Sequence, residues 1–369
     1  LINLTYILSH IDKALAFEWI AESLDSHKFK LRFILLNKGE SALEQHLKAR
    51  GIEVERVTYQ SKKDIPQAFL KVRKILSKWK TEIVHCHLFD ACLVGLTAAR
   101  SLGIKRRIFT RHHATIHHIY FKRAIYYDHF INRMATDIVA ISENVKKILI
   151  EKENVKPQKV HLIHHGFKLE DFTSDNQLII NELTEKYQTQ NKYPIIGVVA
   201  RQTHWKGIQF IIPAFGQLLD LYPKAHLILA NAQGDYKSEI NKLLSSLKSG
   251  SYTEITFESN IFSLFKLFDI YIHTPIDEHS EAFGQTYVEA LAAGTPSIFT
   301  LSGVAPEFIQ NEKNALVVPF QASEAIYQAM LRILENPDLA NKIKTQGLTD
   351  VKLQFDLPLM MQALEKLYT

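Results

Sequence analysis

A chain of 369 residues, 46% hydrophobic and 22% charged, is long enough for two or three domains with full cores and has the composition of a globular protein. No apolar run approaches the roughly 20 residues of a membrane span, and two cysteines, Cys86 and Cys92, exclude a disulfide framework and point to a reduced, cytoplasmic setting. The net charge of +5 is uneven: residues 1–170 carry 29 Lys and Arg against 17 Asp and Glu, or +12, leaving −7 for the remainder.

The chain opens on LINLTYIL, a strand pattern rather than a secretory leader. Further strands are expected at LRFILL, VERV, EIVHCH, RRIFT, DIVAIS and KVHLIHH, with helices SALEQHLKAR, IPQAFLKVRKILSKW and ACLVGLTAARSL between them. This alternation predicts βαβ units on a parallel sheet. The polar stretch from Ser174 to Lys192 breaks the rhythm and reads as a linker. A second series follows in YPIIGVVA, AHLILA, EITF, DIYIHT, PSIFT and ALVVP, and residues 325–369 read as helices, one starting at Pro337. The expected division is therefore a doubly wound α/β domain over 1–175, another over 176–349, and a helix over 350–369 returning to the first. Two such domains imply a cleft between the carboxyl ends of their strands.

The basic half suggests an anionic partner. In the 65–79 helix, Ile65, Phe69, Val72, Leu76 and Trp79 make one stripe, rimmed by Lys71, Lys74, Lys78 and Lys80. That pattern fits a sheet-covering helix with a solvated rim or a helix docking on anionic lipid. Lys105, Arg106, Arg107, Arg111, Lys122 and Arg123 add to the basic side. Nucleic acid is not expected, because no strand offers an aromatic stacking platform.

The chemistry concentrates in the second half. GVVARQTHWKG sends Arg201 and Lys206 from one strand end, with Gly207 opening the next helix. A planar Arg and a mobile Lys beside a helix N-terminus can hold a diphosphate without a metal. EAFGQTYVEALAAGTP then places Glu281 in a loop after a strand and Glu289 inside the following helix, where Tyr287, Val288, Leu291 and Ala292 turn inward and Gly294 and Pro296 end it. The helix start between the two acids is a natural anion site.

Thirteen of the seventeen histidines fall before residue 170. His85 and His87 share a strand face, and His112, His113, His117 and His118 follow another strand. Zinc at such a cluster would need a completing Cys or carboxylate at a familiar spacing, which is not seen, so no metal is expected. His112 reads as a contact to a bound ligand, and His164 and His165 as turn residues.

Together these segments resemble the family-4 retaining glycosyltransferases of the GT-B fold. Glu281 and Glu289 around Phe283-Gly284 are similar to that family's acidic motif, and Arg201 with Lys206-Gly207 to its diphosphate clamp. SGVAPEFI, from Ser302 to Ile309, is similar to its Gly-Gly-x-x-Glu turn. FTRHH with His112, VAISENV around Ser142 and KVHLIHHGF around Gly166 match its first-domain segments. The resemblance implies a metal-independent hexosyltransferase that takes its sugar from a nucleotide-diphosphate donor, UDP or GDP, with no cofactor. A glycan or lipid-linked acceptor in cell-surface polysaccharide or glycoconjugate synthesis is implied, on an enzyme that is cytoplasmic or peripheral on the membrane's inner face. Glu289 would take ribose hydroxyls and Glu281 the donor sugar. The N–H groups from Phe283 through Gly284 and Gln285 to Thr286 would meet sugar and phosphate, while Arg201 and Lys206 would stabilise the departing diphosphate.

Three segments depart from the pattern. The first loop reads SHIDKALAFEW, with Lys13 and Ala14 in place of a Gly-Gly pair; NAQGDY replaces a Gly-x-Gly turn; and the expected base-binding loop, ESNIF, lacks its glycine. Two enzymatic alternatives and one non-catalytic one stay open. A nicotinamide oxidoreductase would need G-x-G-x-x-G after an early strand, which neither ILSHIDKA nor VVARQTHW supplies. A sugar-nucleotide epimerase of the same architecture would need acid and base groups at the sugar. A scaffold subunit would not need the intact charged set.

Overall fold

Runs of Val, Ile and Leu become strands here because a parallel sheet covered on both faces has no polar side to show. The computed structural model describes residues 1–173 and 176–369 and divides into two units, Leu1–Phe167 with Leu357–Thr369, and Lys168–Asp356. The boundary expected at 175 and the start of the linker at Ser174 lie outside the described residues.

The first unit holds seven parallel strands, β1 (Ile2–Ser9), β2 (Phe29–Asn37), β3 (Glu53–Thr58), β4 (Ile83–His87), β5 (Arg106–Arg111), β6 (Asp137–Ala140) and β7 (Val160–Leu162). Their order is β3-β2-β1-β4-β5-β6-β7. The second holds six, β8 (Ile195–Val199), β9 (His226–Ala230), β10 (Tyr252–Ile255), β11 (Ile270–His273), β12 (Ser297–Phe299) and β13 (Leu316–Val317), in the order β10-β9-β8-β11-β12-β13. Each order reverses direction once, between β1 and β4 and between β8 and β11, which is the doubly wound topology. The core of the second unit packs Ile196, Val198, Leu227, Leu229, Ile270 and Ile272 against the Ile208–Leu221 helix and its neighbours.

The polar stretch read as a linker is in good part a helix, Gln177–Lys186. Asn176 caps it, accepting from the Ile179 N–H at 3.3 Å, and Leu183 is its one buried residue. A helix with so little apolar periodicity leaves almost no mark in the sequence. The Ile65–Lys78 helix turns Ala68, Val72 and Leu76 inward and keeps Lys71, Lys74 and Lys78 exposed. Its apolar stripe is thus committed to the unit's own core.

At the C-terminus, Pro337–Phe355 belongs to the second unit, where Phe355 meets the rings of Phe283 and Phe308 at 5.7 and 4.8 Å. The Leu357–Tyr368 helix belongs to the first unit. Its Tyr368 hydroxyl lies 2.6 Å from His85 Nδ1 beneath β4 and also bonds Tyr6 of β1. Leu357 N–H donates to Phe167 O at 2.9 Å. A Cβ at Gly166 would lie 2.7 Å from Met360 Cβ, so the absence of a side chain there lets the returning helix dock.

Candidate active site

β8 and β11 are parallel neighbours, with Ile270 opposite Ile196 and Tyr271 opposite Gly197. Loops leaving their carboxyl ends emerge side by side where the strand order reverses, the usual ligand crevice of an open α/β sheet. The β8 loop carries Arg201 and Lys206 and turns at Gly207, whose φ is +74°. A Cβ there would lie 1.8 Å from the Thr274 carbonyl just beyond β11, so only glycine lets the two loops meet. Ile276 N–H, donating to Trp205 O at 3.1 Å, holds them together further on.

The contact brings Lys206 onto Glu281, whose Oε1 pairs with the Lys206 ammonium. His273, the last residue of β11, sets its Nε2 3.0 Å from the same oxygen. Ser302 Oγ accepts from Glu281 N–H at 3.1 Å, which places the SGVAPEFI turn behind the loop. Glu281 is buried. Burial by itself would raise its carboxyl, but Lys206 and His273 outweigh that and hold it at about 2. Burial also lowers the His273 pKa against the pull of Glu281, so the ring is neutral at pH 7, and its Nδ1 has no partner among the described residues. The sequence directs Lys206 and the Glu281 loop to one cleft without revealing that the two side chains pair, and His273 went unnoticed, its only signal a histidine closing an apolar strand.

Arg201 is exposed, and its side chain makes no hydrogen bond or ion pair among the described residues. Since Lys206 and Glu281 neutralise one another, Arg201 is the uncompensated charge of the β8 loop. Past Glu281 the Gln285–Ala292 helix begins at Gly284, φ +87°, where a Cβ would sit 2.5 Å from the Tyr287 ring. Gly284 offers no side chain to cap this start, which leaves first-turn N–H groups, those of Gln285 and Thr286 among them, suited to an anion. Phe283 is buried, and its carbonyl accepts from Val304 N–H at 2.9 Å.

Further along the helix, Glu289 is partly buried. No cation or hydrogen-bond donor reaches its carboxyl among the described residues, and burial pushes that group up to about 7. An unpaired, half-ionised carboxyl is suited to accept neighbouring hydroxyl donors.

In the first unit, His112 follows β5. Its Nε2 lies 3.1 Å from His87 Nδ1, and its ring stacks on His165 at 5.6 Å. His85 and His87 share a face as expected, with ring centroids 4.3 Å apart. Burial, then the neighbouring imidazoles, push His112 well below its ordinary range. It is therefore neutral, a hydrogen-bonding group rather than an acid at neutral pH. A cavity of about 230 Å³ opens beside it, lined by Leu88, Phe89, Cys92, Phe109 and Asp128.

His113 and His117 reach a carboxylate that the spacing did not reveal, Asp128, at 3.3 and 2.7 Å. The three groups lie within 4.8 Å of one another, as metal ligands would. Arg111, however, already sits 3.2 Å from Asp128 and also bonds Glu153, so the carboxylate is countered and the cluster is an ionic network. Two of the three departures noted above have their own supports. His10, at φ 52°, bonds Asp90 at 3.0 Å in the first loop, and Glu258 is held by Lys186 at 2.7 Å and by Tyr187.

Two family models match the chain, "Glycosyltransferase Family 4" over residues 20–171 and "Glycosyl transferases group 1" over residues 180–349. Among curated proteins, the chain is 25% identical over 311 residues to the capsular polysaccharide biosynthesis glycosyltransferase CapM of Staphylococcus aureus, covering 82% of this chain and 80% of that one. An alpha-monoglucosyldiacylglycerol synthase of Acholeplasma laidlawii is 24% identical over 294 residues, covering 73% and 70%. Among solved structures, Anabaena HepE in complex with UDP and glucose has a TM-score of 0.84 at 19% identity, covering 99% and 98%. Sucrose-phosphate synthase from Thermosynechococcus elongatus has a TM-score of 0.80 at 17% identity, covering 100% and 98%.

Proposed function

This chain belongs to the family-4 glycosyltransferases, and on that premise we propose that it moves a hexose, with retention and without a metal, from a UDP- or GDP-sugar to a glycan or lipid-linked acceptor. Cell-surface polysaccharide or glycolipid synthesis is the setting that the relatives' names favour, with the basic first unit working against an anionic membrane surface from the cytoplasmic side.

The observation that carries the reading is the Lys206–Glu281 pair, which joins the loop bearing Arg201 to the loop leading into the Gly284 helix start at one strand-order reversal. Arg201 and the first-turn N–H groups take the diphosphate. Lys206 has three N–H donors, so it can keep Glu281 while turning another to the leaving phosphate. Glu281 faces the sugar and Glu289 the ribose, and His112 of the first unit is a neutral hydrogen-bonding group for a bound ligand. In the transfer, the bond from the anomeric carbon to the phosphate oxygen breaks. The acceptor oxygen bonds that carbon on the same face, and its proton passes to the departing phosphate. Glu281, tied to Lys206 and His273, is a poor nucleophile, which favours this route over a covalent carboxylate intermediate.

Transfer measured in excess EDTA should keep its full rate, and the product's anomeric configuration, read by NMR coupling, should match the donor's. Loss of transfer restored by manganese or magnesium would remove the metal-free reading. Inverted product would remove the retaining one.

A further inference from the structure

The Ile125–Met134 helix is built inside out. Its buried residues are Asp128, Ile131 and Asn132, while Tyr126 is 79% exposed, Tyr127 44% and Phe130 42%. Asp128 and Asn132 face inward because a buried ionic network needs them: Arg111 lies 3.2 Å from Asp128, and Asn132 donates to Glu153 at 2.7 Å. With that face engaged, the helix turns Tyr126, Tyr127 and Phe130 outward beside exposed His129 and Arg133. Phe121, just before it, is 59% exposed and is followed by exposed Lys122 and Arg123. Lys62 adds a cation 4.9 Å from the Tyr127 ring and 5.1 Å from Phe89.

We propose that this face, Phe121 to Phe130 with Lys122 and Arg123, docks the protein on an anionic lipid surface. Contiguous exposed aromatic groups are costly to leave in water and mark an interaction site. Tyrosines among basic residues suit a headgroup boundary, where the ring is half apolar and the hydroxyl stays wet. Charge decides the partner. From residue 111 to residue 136 the only carboxylate is Asp128, which is fully buried, so the exposed face carries no negative charge. The Ile65–Lys78 helix is the weaker docking element, since Val72 and Leu76 of its stripe are buried and Leu70 is its one exposed large apolar side chain. The inference rests on the reading of a transferase that works at a membrane and names the surface it would use.

Sedimentation of the full chain with phosphatidylglycerol-containing vesicles, compared with pure phosphatidylcholine vesicles, tests it. The wild type should partition to the anionic vesicles and be released by 1 M salt, where screening reaches about 3 Å. Tyr126→Ser with Phe130→Ser, and separately Lys122→Glu with Arg123→Glu, should each weaken partition on the order of tenfold. Lys71→Glu with Lys74→Glu should weaken it far less. Wild-type binding in the aromatic pair, or an equal loss in the Lys71 pair, would overturn the proposal. So would a dimer in analytical ultracentrifugation that the aromatic pair converts to monomer, which would assign the face to a second copy. Nucleotide affinity measured without vesicles reports on the donor site alone, so the two readings fail separately.

Discussion

Lys206→Ala is expected to lower the transfer rate by about 10²- to 10³-fold, the usual loss when one charged donor to a transition state is removed. The same substitution should also lower the melting temperature, because it strips the ammonium from the buried Glu281 carboxylate. Removing one partner of a buried pair costs about 3–5 kcal/mol, and His273, still 3.0 Å from Glu281, should keep the loss near the lower end. In the wild type the depressed Glu281 pKa contributes stability above the ordinary carboxylate range, lost as the pH falls toward 2; in Lys206→Ala this acid limb should shrink. The double variant Lys206→Ala with Glu281→Gln, compared with Glu281→Gln alone, separates the two effects. It should recover most of the melting temperature and still turn over well below Glu281→Gln. If its turnover matched that of Glu281→Gln, Lys206 would be a structural group only.

Glu289 should set the pH dependence of nucleotide binding. If only the ionised carboxylate accepts ribose hydroxyls, a group at about 7 makes affinity fall about tenfold from pH 8 to pH 6. Glu289→Gln should flatten that profile and raise the dissociation constant for the bare nucleoside diphosphate. One lost charge-assisted hydrogen bond is worth roughly 1.5–3 kcal/mol, or about tenfold to more than a hundredfold. Stability should move the other way. A carboxyl raised above its unfolded value binds more protons when folded, so it lowers stability as pH rises from about 4.3 to about 7. The glutamine variant should therefore melt higher than wild type at pH 8 while binding nucleotide less well, a trade common at functional sites. Glu281→Gln should leave bare nucleotide affinity nearly unchanged and lower turnover with the complete donor. A pH-independent affinity, or a Glu289→Gln that simply melts lower, would mean that the acid only supports its helix.

Much of this architecture can be read from the sequence because parallel strands are apolar from end to end. Every expected strand of the first sheet, from INLTYIL to KVHLIHH, coincides with β1 to β7, and Pro337 does start a helix. The Gln285–Ala292 helix ends where Gly294, at φ +70°, ends it. What stayed hidden depends on distance in sequence. Lys206 and Glu281 are 75 residues apart, and nothing local tells that Gly207 lets their loops touch. Asp128 could not be seen as the partner of His113 and His117, because the turn between them is irregular and no simple period relates the three. The Ile125–Met134 helix misleads for a related reason. An inside-out helix has an ordinary amphipathic pattern, and only the contacts of Asp128 and Asn132 show which face is buried.

The central claim is that the β8 loop and the uncapped helix bind a nucleotide through its diphosphate. Calorimetric titration of wild type and Arg201→Ala with uridine, UDP, guanosine and GDP separates the two parts of the ligand. The Arg201 side chain is exposed and has no partner among the described residues, so its removal should leave the fold intact. The account predicts that one diphosphate binds the wild type well and the variant about tenfold or more less tightly, with nucleoside affinity unchanged. Equal losses for nucleoside and diphosphate, or a wild type that binds neither UDP nor GDP, would contradict it.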